Sequence, residues 1–204
     1  MVRRLLAAAA KLGVPVVFHM EEARSISTPL SSAIHDRLLC AALRVAARTY
    51  PLKNRLESRL NFPGYMLDFA SLERALNDFP QLNLVGHGLM FWKNISADAP
   101  LRLESLPTGP VTGEGIIWRL LREHPNLYAD ISGSSGFNAL SRDPVNATIF
   151  LATFADKILY GTDNVLAGQR GFLDSLGLSS STYSRLYGEN ACSLISSPPH
   201  HVVP

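Results

Sequence analysis

A chain of 204 residues, 47% hydrophobic and 18% charged, has the composition of a globular protein with one substantial core. A formal charge of +2 and the lack of a long basic run argue against a nucleic-acid partner. The cysteines, Cys40 and Cys192, are too few for a disulfide framework and fit a reducing compartment.

The opening "MVRRLLAAAAKLG" imitates a signal peptide, but its apolar stretch from Leu5 to Ala10 is broken by Lys11. That is shorter than the roughly 7–15 residues of an export core. An amphipathic helix closing at Gly13 explains it better. No window approaches the roughly 20 apolar residues of a membrane span. The expectation is a soluble, cytoplasmic protein with no membrane partner, in which the sequons at Asn94 and Asn146 carry no information.

Four short apolar runs then read as buried strands, being near-continuous rather than alternating. They are Val14 to His19, Leu82 to His87, Asn126 to Ser132 and Lys157 to Asp163. A helix is expected over Ser31 to Arg48, where Arg44 and Arg48, with Lys53, Arg55 and Arg59 beyond, form a solvated basic face. "MLDFASLERALNDFP" places Leu72, Leu76 and Phe79 on one helical face and stops at Pro80. "GEGIIWRLLREHP" does the same before Pro125. "DPVNATIFLATFAD" offers Asp143 as N-cap and Pro144 at the first helical position. A last helix runs from Ser180 to about Ile195, giving one domain over 1–196 and a flexible tail over 197–204. Helices alternating with such strands indicate βαβ units around a parallel sheet. The Pro/Gly-rich stretch from Ala97 to Gly113 is a long loop of the sort that carries function.

The strands share a feature at their carboxyl ends. The first ends in His19, the second in His87, the third reaches Asp130 with Ser132 beyond it, and the fourth ends in Asp163. In parallel α/β proteins that end holds the ligand. Histidine and aspartate are also ligands that a catalytic divalent ion accepts. Taken singly, His19 reads as a loop contact, Asp130 as a backbone partner and Asp163 as a turn cap. Gly86 and Gly88 around His87 are harder to explain by packing, and the joint pattern points to a site. Trp92, with Phe91, Phe137 and Trp118, is a candidate substrate wall, although aromatics at such spacing also read as core. His35, His124, His200 and His201 are given no role.

The segments "VPVVFHM", "LNLVGHGLMFW", "HPNLYADISGSSGFNALSRDP", "FADKILYGTDN" and "RLYGENACSLI" resemble, in order and spacing, the amidohydrolase-2 family of TIM-barrel metal-dependent hydrolases. The resemblance covers about Leu5 to Ile195 and implies the following roles. His19 corresponds to the strand-5 histidine, a metal ligand. His87 corresponds to the strand-6 histidine, which binds metal or orients water and polarises the substrate. Asp163 corresponds to the strand-8 aspartate, which binds metal and takes a proton from water. Asp130 and Ser132 fall on strand 7 and its loop and line the substrate pocket, and Asn190-Ala191 is structural. The ion would be Zn²⁺, with Mn²⁺ or Fe²⁺ as alternatives.

One departure stands out: the family's first strand carries His-x-His, and no such pair occurs in this chain. Four strands are half of a (β/α)₈ barrel, which takes about 250 residues. The expectation is therefore an incomplete barrel, strands 5 to 8 with their helices, poorly active or inactive alone and able to associate, for instance as a homodimer, through unpaired edges. Three functional readings follow: a hydrolase of small-molecule C–N or C–O bonds, a metal-dependent decarboxylase, or a non-catalytic truncated remnant.

Overall fold

The structure is a computed structural model and describes residues 2–20, 68–102, 104–163 and 167–196. The helix expected over Ser31 to Arg48, His35 and the 197–204 tail lie outside the described residues.

The chain opens with helix α1 (Val2–Leu12), which ends at Gly13 in a left-handed turn, φ 65°. Strand β1 (Val16–His19) follows. Helix α2 (Phe69–Asp78) starts where Asp68 accepts a hydrogen bond from the Ser71 amide at 2.6 Å. Next come β2 (Leu84–His87) and the short α3 (Leu89–Lys93), then α4 (Ile116–Glu123) and β3 (Leu127–Asp130). Helices α5 (Gly133–Ser141) and α6 (Pro144–Thr153) lead to β4 (Ile158–Leu159). Asp143 caps α6 as expected, accepting from the Asn146 amide at 3.0 Å. Helix α7 (Gln169–Asp174) precedes a terminal helix that is α-helical over Ser180–Ser184, π-helical over Arg185–Glu189 and α-helical again over Asn190–Ser196.

All strands are parallel and lie in the order β1-β2-β3-β4, so neighbours in space are also neighbours in sequence. Register pairs His19 with His87 and places Asp130 opposite Leu159. Alternate residues divide the two faces. Leu84, Leu127, Ala129 and Ile158 are buried in the helix-covered core, where Trp92, Trp118, Phe150 and Phe154 stack edge to face. The other face carries Val17, His19, His87 and Asp130.

The strands are shorter than the apolar runs, most of all β4, expected over Lys157 to Asp163. Its ladder stops because the Tyr160 amide donates to the Leu186 carbonyl of the π turn at 3.2 Å. The Asn190 side chain donates to the carbonyls of Ala155 and Ile158 at 2.8 Å each. Lys157 and Leu159 turn their carbonyls toward β3, so Ile158 and Tyr160 present their polar groups to the opposite edge. The terminal helix therefore occupies that edge. On that edge the Tyr160 amide and the Ile158 carbonyl are thus bonded within the chain.

Candidate active site

The carboxyl ends of the strands open into a cleft of about 530 Å³ lined by Val17, His19, His87, Asp130, Ser132, Gly161 and Asp163. Strand pairing brings the histidine rings together, their centroids 4.9 Å apart. His19 is exposed, whereas His87 is buried at 8% exposure. His87 is flanked by carboxylates on both sides of its ring. Its Nδ1 lies 3.4 Å from Asp130 Oδ2, and its Nε2 lies 3.8 Å from Asp163 Oδ2.

Local backbone geometry explains why these groups meet. Asp163 is the one described non-glycine residue with positive φ, at 51°, a conformation aspartate tolerates better than bulkier residues. Gly133, φ 70°, lies beneath its carboxylate, and a Cβ there would sit 2.8 Å from Asp163 Oδ2. Gly88, φ 101°, does the same for the other histidine: a Cβ would fall 2.6 Å from the Met20 carbonyl oxygen and 2.9 Å from His19 Nε2. These contacts are a structural reason for the glycine after His87 and for the "SGSSG" loop.

The end of β3 is held from two directions. Trp92 Nε1 donates to the Asp130 carbonyl at 2.7 Å, and Gln169 Nε2 donates to the Ile131 carbonyl at 2.9 Å. Ser132 donates its amide to Asp130 Oδ1 at 2.8 Å and its hydroxyl to Asp130 Oδ2 at 2.7 Å. Burial alone would raise the Asp130 pKa, but the hydrogen bonds from His87 and Ser132 outweigh it and hold the carboxyl below the usual aspartate value.

Of the residues singled out from sequence, His19, His87, Asp130, Ser132 and Asp163 all line this cleft. Trp92 does not. It is completely buried between Phe91 and Phe150, so it has no surface to offer a substrate, and it reaches the site only through the Asp130 carbonyl. Sequence reasoning missed Gln169 and Gly133. Gln169 carries no signal of its own in the sequence, and Gly133 shows its purpose only once Asp163 is placed above it.

Tested for a divalent ion, the donor chemistry fits: two imidazoles and carboxylates, with no lysine or arginine among the described lining residues. The His87–Asp163 separation is near the roughly 3.4 Å between two ligands of a tetrahedral Zn²⁺. The donor atoms of His19, His87 and Asp163 do not all fall within 4.8 Å of one another, so sharing an ion would require these side chains to draw closer together. Among the described residues, the group that does converge to that degree is Glu73, Glu123 and His124, elsewhere in the fold. That group encloses a cation of its own, since Arg119 bonds Glu73 at 2.8 Å and Glu123 at 2.5 Å.

Consecutive parallel strands with histidines and carboxylates around a cleft at their carboxyl ends define an α/β protein with the site layout of a barrel-type enzyme. The chain belongs to the amidohydrolase family, whose model matches residues 1–191. No curated protein and no solved structure matches it. The family uses divalent metals and acts on small molecules as hydrolases and decarboxylases. Among the described residues, no helix is long and apolar enough to cross a membrane.

Proposed function

We propose that this chain is a metal-dependent hydrolase, acting on a C–N or C–O bond of a small molecule, with β1 to β4 as strands 5 to 8 of a (β/α)₈ barrel. The observation that carries the reading is the convergence of His19, His87, Asp130 and Asp163 on one cleft. Support for the barrel assignment comes from the sheet order, which follows chain order without the reversal of a doubly wound sheet.

In this reading His19, His87 and Asp163 hold the ion, which supplies Lewis acidity toward a substrate oxygen and acidifies water. Zn²⁺ suits the nitrogen and oxygen donors, as do Mn²⁺ and Fe²⁺. Asp163 has a side chain 51% exposed to the cleft and accepts the proton from the attacking water. His87 faces the substrate carbonyl and stabilises the charge that develops there. Asp130 and Ser132 stand on the cleft wall, where they orient polar groups of the substrate.

The test is turnover of a panel of small esters, lactones and amides by the purified chain supplied with Zn²⁺ or Mn²⁺. Metal-dependent hydrolysis abolished in Asp163→Asn is expected. Release of carbon dioxide from carboxylated substrates without hydrolysis would favour the decarboxylase. One observation favours a non-catalytic descendant: the donor atoms of His19, His87 and Asp163 do not all converge within 4.8 Å of one another. Bound metal without turnover of any substrate would support that reading.

A further inference from the structure

Strand β4 leaves the sheet early, yet the residue it would have paired with next still has a donor. The Ile131 amide donates to the Leu159 carbonyl at 3.0 Å. In a continued parallel ladder the Ile131 carbonyl would then accept from the Gly161 amide. The donor at this carbonyl is instead a side chain, Gln169 Nε2, at 2.9 Å. Gln169 opens α7 and is 2% exposed, and Ile131 is completely buried, so the bond forms where it is stronger than in water. One residue of β3 thus grips the chain on both sides of Asp163, through Leu159 before it and Gln169 after it.

We infer that Gln169 is a positioning residue for Asp163: its amide stands in for a rung of the ladder, so the chain can turn out of the sheet after Leu159 and keep its hold on β3. Asp163 needs such a hold because its φ of 51° is uncommon outside glycine and persists only where the surroundings over-determine it. Steric contacts supply part of that restraint. The Asp163 carboxylate lies over Gly133, and the chain at Gly161 passes so near β3 that a Cβ would come 3.1 Å from Asp130 Oδ1. These contacts exclude other placements but attract nothing; the bond from Gln169 is attractive and directional. Its acceptor is fixed in turn, because Gly136 of α5 packs so closely on the Ile131 carbonyl that a Cβ there would overlap the oxygen. Its donor is fixed by α7, where Leu173 is buried in the core and its carbonyl accepts from the Tyr183 hydroxyl at 2.9 Å. What Asp163 does once placed rests on the proposed hydrolase reading; the placement itself does not.

Nuclear magnetic resonance of the metal-free chain tests the placement. A residue with left-handed φ gives a strong Overhauser effect between its own amide and Hα protons. Wild type should show that signal at Asp163, together with slow exchange of the Gln169 side-chain amide. Gln169→Met fills nearly the same volume without a donor, and in it the Asp163 signal should weaken. Zn²⁺ affinity should fall about tenfold, as expected when a supporting contact of a metal ligand is lost. Ile117→Val, a small lesion in the core of α4, also lowers stability but should leave the signal and the affinity unchanged. If Gln169→Met does not fold, Gln169→Asn, whose amide is one methylene too short to reach Ile131, carries the same expectation; if neither folds, the wild-type spectrum decides. The inference is overturned if a folded Gln169 variant keeps the full Asp163 signal, or if Ile117→Val weakens it equally. It is also overturned if wild type lacks that signal or exchanges the Gln169 amide freely. A weakened signal with Zn²⁺ affinity intact would uphold the placement and count against Asp163 as a metal ligand, which separates this inference from the hydrolase reading.

Discussion

Two groups of histidine and carboxylate lie at opposite ends of the β-sheet, and they differ in what neutralises them. At the carboxyl ends, Asp130 and Asp163 bracket His87 in a cleft that has no lysine or arginine among its described lining residues. Near the amino end of β3, Glu73 from α2 and Glu123 and His124 from the end of α4 enclose the Arg119 guanidinium. His124 is as buried as His87, its Nε2 makes no hydrogen bond, and it stands 3.9 Å from Glu73. By ligand spacing alone the Glu73 group is the better metal site. By charge it is already satisfied, because a divalent ion would have to displace a guanidinium bonded to both carboxylates. The Arg119 bonds, ahead of the opposing effect of burial, hold the Glu73 carboxyl below its usual pKa.

The sharpest break of this comparison is His87→Ala. It should weaken Zn²⁺ binding by more than about 100-fold in a competition titration, since it removes a ligand that even second-shell changes affect by about 10–100-fold. An equal loss in His124→Ala would reverse the assignment. Gly133→Ala comes next. It introduces a Cβ 2.8 Å from Asp163 Oδ2 at a left-handed position, with an expected strain of about 1–2 kcal/mol. Thermal unfolding should show the lost stability, and metal titration about a tenfold loss of affinity as Asp163 is displaced.

Arg119→Met should have a smaller effect. The guanidinium is 44% exposed and its partners 33% and 51%, so solvent screening limits the loss to about 1 kcal/mol or less. Denaturant unfolding measures this, and metal affinity of the cleft should not change. The smallest effect is in pH dependence. Asp130 and Glu73 both have folded pKa values below their ordinary ones, so each favours the folded state once pH exceeds the unfolded value near 4. That contribution is lost as pH falls through the folded pKa. Melting temperature should therefore fall below about pH 4, and less steeply in Glu73→Gln, as circular dichroism across pH 3 to 7 would show.

The parallel sheet was legible in the sequence because its strands are short apolar runs, each ending in a polar group. His19, His87, Asp130 and Asp163 come together as that pattern implies, the register alone placing the histidines side by side. The length of β4 was not legible: its apolar run continues to Tyr160, but the π turn takes the Tyr160 amide, a tertiary contact with no local signature. Trp92 misled for a related reason. An aromatic one turn after a strand end fits a pocket wall and a core equally well, and only packing against Phe91 and Phe150 separates them. Nor does the pattern show that Ser132 spends its one proton on Asp130. Hydrogen-bond direction depends on three side chains meeting in space.

The central claim, that the cleft and not the Glu73 group is the metal site, is tested most directly by metal analysis. Wild type, Asp163→Asn and Glu73→Gln would each be loaded with Zn²⁺ and dialysed. The account predicts that wild type and Glu73→Gln retain Zn²⁺ in equal proportion and that Asp163→Asn loses it. Retention in Asp163→Asn together with loss in Glu73→Gln would contradict it.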